Sequence, residues 1–182
     1  MNTFTAIGLP DHLRDTLAEL RTSDLTTTRW VQPEDFHITL RFLGAIDPAA
    51  LRTHREALRT VQEEPFDLTL RGIGRFPEGA SAQPRVLWVG ITPCPGLDVL
   101  QAAVSDVLRA GGLPDDRYSS YSPHVTLARL DAREPTAAVA EFLSAHAELE
   151  LPTVRVDRFS LYQSHLDSDG PNYKPLEHYD LG

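Results

Sequence analysis

The sequence predicts a duplicated, two-lobed domain of mixed helices and strands, and three observations predict it. His37-Ile38-Thr39-Leu40 and His124-Val125-Thr126-Leu127 write one tetrapeptide pattern twice, 87 residues apart. Other features line up at the same offset: Asp47-Pro48 with Glu134-Pro135, Asn2–Leu9 with Val89–Gly96, and the helical spacing Leu13, Leu17, Leu20 with Leu100, Val104, Val107. The order strand, helix, motif strand, helix, strand also runs twice, as a single long duplication does and a many-repeat array does not. The expectation is one domain over residues 1–182.

Each element follows from local pattern. Thr3–Gly8 reads as a strand, and Asp11–Arg21 as an amphipathic helix with leucines on one face. Phe36–Leu43 is the first motif strand, ended by Gly44. Asp47 before Pro48 marks a helix start, so Pro48–Val61 is read as helical. Phe66–Arg71 is a strand, and Gly72–Pro84, rich in glycine and proline, a long hairpin loop. Arg85–Ile91 is a strand, of which Val86–Ile91 closes the first unit as a hairpin partner and opens the second. Leu97–Ala110 is a helix, Gly111–Ser122 a loop with Tyr118 and Tyr121, and His124–Leu130 the second motif strand. Pro135–His146 is a helix and Val154–Tyr162 a strand. Ser164–Pro175 reads as a polar loop before a last strand at Leu176–Leu181.

Composition narrows the function classes. Hydrophobic content of 41% and charge of 24% are ordinary for a globular chain. No apolar run approaches bilayer length, so no membrane partner is expected, and Met1–Pro10 lacks the basic start of a secretory signal. Cys94, alone and between two prolines, permits no internal disulfide and fits a reducing cytoplasm. A net charge of −9 argues against a broad basic nucleic-acid face, though not against local capture of one or two phosphates. Sixteen of the seventeen basic residues are arginine, whose planar fork suits bidentate phosphate contacts; compositional bias accounts for most of them.

The doubled motif is where chemistry concentrates. Residues i and i+2 of a strand share a face. Each copy therefore aims one imidazole and one hydroxyl at one surface, while Ile38, Leu40, Val125 and Leu127 turn inward. Two such strands side by side offer two proton-transfer groups and two hydroxyl donors, equipment for in-line chemistry on a phosphodiester. Of the seven histidines, His12, His54 and His146 sit on helices among polar neighbours and read as solvent-exposed. His165 and His178 lie in or near the C-terminal loop, where a binding role is open. A metal centre is disfavoured: each strand offers one histidine plus threonine, a poor zinc ligand, and no HxxxH or CxxC occurs. Gly72-Ile73-Gly74-Arg75 suggests a phosphate loop, but Pro77 breaks the pattern and no helix follows. By strand parity Arg41 shares the His37 face, Phe42 falls on the core face with base stacking as its second reading, and Arg129 needs a bulge or a strand end to reach the site.

These residues resemble a known family. Trp30-Val31 with Phe36-His37-Ile38-Thr39-Leu40-Arg41-Phe42-Leu43-Gly44 resembles the first signature of the 2H phosphoesterases, in the RNA 2',3'-cyclic phosphodiesterase branch also called 2'-5' RNA ligase. Gly74-Arg75-Phe76-Pro77 with Pro84–Gly90, Ser122–Arg129, and Ser164 with Gly170-Pro171-Asn172-Tyr173 resemble its later signatures. Phe36 stands where that family often has leucine, a packing position. The resemblance implies an α+β, bilobal fold with two antiparallel sheets around a central cleft and helices outside. It implies cofactor-free and metal-free hydrolysis of a 2',3'-cyclic phosphate at an RNA 3' end, leaving a 2'-phosphate, by a monomer. It assigns His37 as proton donor and His124 as acceptor, an order the nearly symmetric contexts do not supply themselves. Thr39, Thr126, Arg129 and Arg41 are the expected phosphate ligands. Activity is expected to fall on both sides of neutrality, since one histidine must be charged and the other neutral. Two other classes remain open: a non-catalytic RNA-end binder on the same fold, and a metal-dependent hydrolase.

Overall fold

Alternating and fully apolar strand segments interleave with amphipathic helices in the order the sequence suggests, but the strands pair across the two units. The computed structural model describes residues 2–78, 82–115, 120–167 and 170–182; Tyr118 lies outside them. In chain order these residues form β1 (Asn2–Gly8), α1 (Asp11–Ala18), β2 (Arg29–Trp30), a short 3-10 turn (Pro33–Asp35), β3 (His37–Ala45), α2 (Pro48–Leu58), β4 (Phe66–Leu68), β5 (Leu70–Phe76), β6 (Val86–Ile91), α3 (Pro95–Ala110), β7 (His124–Arg129), α4 (Thr136–Ala145), β8 (Val154–Val156), β9 (Arg158–Asp167) and β10 (Gly170–Asp180). None of these helices is long and apolar enough to cross a membrane.

The fold is α+β with two antiparallel sheets, divided unevenly. One runs β10-β9-β1-β3-β7-β6-β5 with β2 paired to β7; the other is the pair β4-β8. Each motif strand therefore heads a run of strands, β3-β1-β9-β10 on one side and β7-β6-β5 on the other. In each run the third strand belongs to the other sequence unit: β9 pairs β1, and β5 pairs β6. The two runs touch through one residue pair, Ile38↔Val125, with both side chains fully buried. Those two join Leu13, Leu17, Leu58, Leu97, Leu100, Val104, Leu108, Val139 and Phe142 of the helices in one core. Burying each such side chain contributes about 1.5–3 kcal/mol.

The β1–β3 register skips Leu40, and the β6–β7 register skips Leu127. These are the same position of the repeat. Each skip is a bulge, where an unpaired residue shifts the in-out alternation of the residues after it. The register also sets Gly8 opposite His37 and Gly90 opposite His124, so Gly8 corresponds to Gly90 rather than to the residue 87 further on.

Several sequence expectations change. Gly72–Pro84 is not one long loop: β5 runs on to Phe76, because a side chain at Gly74 would lie within 2.2 Å of the Trp88 indole packed there. Ser164–Asp167 and Gly170–Pro175 are not a polar loop but paired residues of β9 and β10. Polar strands of this kind do not show a one-sided alternation, so they read as loop. Asp47 caps α2 by accepting from the Ala49 and Ala50 amides, both at 2.8 Å. Glu134, its counterpart, makes no side-chain cap to α4 and is buried elsewhere. His12 is exposed as expected and His146 lies against Phe142, but His54 is buried at the end of α3 beside Gly111.

Candidate active site

His37 and His124 each begin a motif strand, and each ring is fixed the same way. His37 Nδ1 lies 2.6 Å from the Asp35 carbonyl oxygen; His124 Nδ1 lies 2.7 Å from that of Ser122. A carbonyl only accepts, so Nδ1 carries the proton in both rings and Nε2 is the atom left for proton exchange. The same two-residue back-bond therefore sets both tautomers. Antiparallel pairing at Ile38↔Val125 means that one residue further His37 stands across from Thr126, and Thr39 from His124. Directly opposed residues share a face. All four side chains thus occupy one patch, hereafter the histidine face. Among the described residues neither threonine hydroxyl is engaged by the protein.

Aromatic rings wall the two imidazoles. Phe4 lies 4.9 Å from His37, Tyr173 meets it edge-on at 5.0 Å, and Tyr162 lies at 6.4 Å. Phe76 meets His124 edge-on at 5.0 Å, with Trp88 at 6.4 Å. Burial disfavours the charged imidazolium and is the main reason both pKa values fall. The back-bonds oppose this. Positive charge adds to the depression: Arg129 acts on both rings, and His124 also acts on His37. His37 is pushed down to about 4.

The bulges decide which neighbours reach the patch. Beyond Leu40, Phe42 pairs with Phe4, and Phe4 touches His37. Phe42 is therefore on the histidine face, 58% exposed, and not in the core as parity suggested. Arg41 pairs with Thr5 on the opposite face, is 4% exposed, and donates from Nη2 to the Pro114 carbonyl. The structure does not bring Arg41 to the histidine face; it ties β3 to the loop after α3. Beyond Leu127 the same shift swings Arg129 onto the histidine face, where its positive charge opposes the burial that raises the Tyr173 phenol. The bulge that sequence reasoning required for Arg129 is present.

Other groups at the site escaped sequence reasoning. Asp35 is buried, and its Oδ1 accepts the Tyr173 amide at 3.3 Å, linking β10 to the turn that orients His37. Burial, above all, raises its pKa. The Tyr121 hydroxyl donates to the Thr39 carbonyl at 3.0 Å, holding the open side of β3. Phe4 carries no motif signal, and Phe76 and Trp88 stand within the hairpin signature but with nothing in it to mark them as walls of a histidine. His178 pairs with Ser160 at 2.7 Å on β10 and β9, and His165 is exposed on β9. Among the described residues no three His, Cys, Asp or Glu side chains gather as a metal-ligand group. Cys94 precedes α3, its thiol reaching the Asp67 carbonyl at 3.4 Å.

Known proteins with this arrangement are numerous. The profile of the 2'-5' RNA ligase superfamily matches residues 9–168. An RNA 2',3'-cyclic phosphodiesterase of Aeropyrum pernix is 34% identical over 171 residues, 93% of each chain. Among solved structures, TT0787 of Thermus thermophilus superposes with a TM-score of 0.81 at 26% identity, covering 99% of this chain and 97% of that one. Apo LigT of E. coli superposes with a TM-score of 0.77 at 25% identity, covering 99% and 96%.

Proposed function

The chain belongs to the 2'-5' RNA ligase superfamily, and from that premise we propose that it hydrolyses 2',3'-cyclic phosphate ends of RNA to 2'-phosphate ends. One observation carries the reading: two imidazoles with free Nε2 atoms, each across from a threonine hydroxyl, on one sheet face. His124 Nε2 takes a proton from water as the water oxygen bonds to phosphorus. The bond from phosphorus to the ribose 3' oxygen breaks, and that oxygen takes the proton held on His37 Nε2. The product is a 2'-phosphate with a free 3'-hydroxyl. His37 ends neutral and His124 charged, and exchange with solvent resets them. In-line displacement needs acid and base on opposite sides of phosphorus, and the pseudo-symmetric strand pair supplies two sides.

Burial lowers the pKa of both imidazoles, so either ring gives up a proton readily once charged, and the order of roles follows the family resemblance. Each transfer contributes about 10² to 10⁴ in rate. Thr39, Thr126 and Arg129 donate to the nonbridging oxygens, where charge builds in the transition state. The two imidazoles carry both protons and these donors hold the charge, so no step requires a metal ion. Phe42, exposed beside His37, offers a ring on which the terminal base stacks. By microscopic reversibility the same groups join a 2',3'-cyclic end to a 5'-hydroxyl. Every named group comes from one chain, which supports action as a monomer, and the lone cysteine supports a cytoplasmic setting.

The test is hydrolysis of a 2',3'-cyclic mononucleotide in excess EDTA. The reading expects turnover to the 2'-phosphate alone. Activity lost to chelator and restored by a divalent ion would overturn the mechanism, and binding without turnover would favour the non-catalytic alternative.

A further inference from the structure

The segment before the first motif strand is anchored with more care than a connecting loop needs. Glu134 is 2% exposed, and its carboxylate accepts four hydrogen bonds from three consecutive threonines. The donors are the Thr26 amide (3.0 Å), the Thr27 amide (2.7 Å) and the hydroxyls of Thr27 (2.6 Å) and Thr28 (3.0 Å). These bonds hold its pKa below the ordinary carboxylate value against the opposing, and largest, effect of burial. The held segment continues into β2, which pairs Arg29↔Arg129 and Trp30↔Ala128, and the Val31 amide then donates to the Leu127 carbonyl at 2.9 Å.

Faces follow from this register. Trp30 packs edge-on against Phe142 of α4 at 5.7 Å, so it lies on the helix side with buried Ala128. Arg29, one residue earlier, is on the histidine face directly across from Arg129. Opposed like charges in a sheet repel and are destabilising. Among the described residues neither Arg29 nor Arg129 makes an ion pair with an acidic side chain, and the charge of Arg129 is felt by the Tyr173 phenol. In a chain of net charge −9, two guanidinium groups set opposite one another by the strand register lack only an anion.

We propose that Arg29, beside Arg129, forms a second phosphate subsite that takes the internucleotide phosphate next to the cyclic end of an RNA strand. The Arg129 backbone stands three residues along β7 from Thr126, a separation on the order of 10 Å, so its long side chain can reach back to the terminal phosphate at the histidines while Arg29, across from it, meets the phosphate before. A mononucleotide has no such phosphate. The inference rests on the cyclic-phosphate reading above.

The experiment compares unaltered chain with Arg29→Ala and Arg29→Lys on two substrates: a 2',3'-cyclic mononucleotide, and a pentanucleotide ending in a 2',3'-cyclic phosphate. The quantity read is the ratio of kcat/KM for the pentanucleotide to that for the mononucleotide. Arg29→Ala should lower the ratio about tenfold through KM, and lower the slope of log affinity against log salt by about 0.7. Arg29→Lys should retain most of the salt slope. A ratio unchanged in Arg29→Ala overturns the subsite. If the unaltered chain turns over neither substrate, the activity reading has failed separately. The subsite is then read from binding of the same pentanucleotide with a 2'-phosphate end, where equal Kd for unaltered chain and Arg29→Ala overturns it.

Discussion

β3 and β7 are built alike as far as the bulge, and there they part. Each starts with a back-bonded histidine, places threonine two residues on, and skips a leucine in its pairing. Two residues past the bulge β3 presents Phe42, and β7 presents Arg129. The surroundings diverge as well. Phe4, Tyr162 and Tyr173 wall His37, while Phe76 and Trp88 wall His124, and only β7 carries the β2 strap. On the proposed mechanism the shared part is an acid–base pair with two hydroxyl donors, and symmetry suits it because an in-line displacement has two equivalent-looking ends. On the same proposal the unshared part breaks the tie, with an aromatic ring on one side for a base and guanidinium groups on the other for phosphate.

The strongest way to break the comparison is at the histidines. His37→Ala and His124→Ala should each lose about 10²- to 10⁴-fold in kcat on a cyclic substrate, and the double variant little more than the worse single one, since the pair acts as a unit. Additive losses would mean two independent contributions. Next come the hydroxyls. Thr39→Ala and Thr126→Ala should each lower kcat about 10²-fold with nearly unchanged Tm, by analogy with loss of one oxyanion donor. A large loss in one and none in the other, measured by steady-state kinetics, would show that the phosphate sits against one strand only.

Smaller effects sharpen the unshared part. Phe42→Ala should raise KM about 5- to 150-fold, the range that a stacking contribution of about 1–3 kcal/mol allows, with kcat little changed. Arg41→Met, one residue away, should appear in thermal melting rather than in KM. Swapped outcomes would restore the strict alternation that the bulge replaces. The pH profile is the mildest lever. Both imidazoles have depressed pKa values in the free protein, and kcat/KM reports the free protein. Its optimum should therefore lie on the acid side of 6.5 rather than around neutrality. Bound phosphate brings negative charge that favours imidazolium, so the kcat profile should sit at higher pH than kcat/KM. A kcat/KM optimum at or above neutrality would contradict the burial of these rings.

What the sequence reveals and conceals has a physical pattern. The histidine–threonine patch is legible because a strand repeats every two residues, and the doubled tetrapeptide supplies two such strands. The same rule misplaces Arg41 and Phe42, since nothing in Thr39-Leu40-Arg41-Phe42 marks Leu40 as the unpaired residue. Arg129 escapes the same error only because a bulge was posed as its condition. Asp47 and Glu134 look alike beside their prolines, yet only Asp47 caps a helix; the partners of Glu134 lie more than 100 residues earlier in the chain. His54 reads as surface among arginine and glutamate, because the helix that buries it is distant in sequence. The exchange of β5 and β9 between units is invisible to a self-comparison, which aligns units and says nothing of how they pair.

The central claim is that His37 gives the proton that His124 does not. It is tested most directly with a phosphodiester whose leaving group is strongly acidic, such as a nitrophenol, because such a group departs without protonation. Rates on this substrate and on a 2',3'-cyclic nucleotide are compared for unaltered chain, His37→Ala and His124→Ala. The account predicts that His37→Ala, nearly inactive on the cyclic nucleotide, recovers most of its rate on the activated diester, while His124→Ala stays inactive on both. Recovery of His124→Ala instead would reverse the roles, and near-normal turnover of the cyclic nucleotide by either variant would contradict two-histidine catalysis.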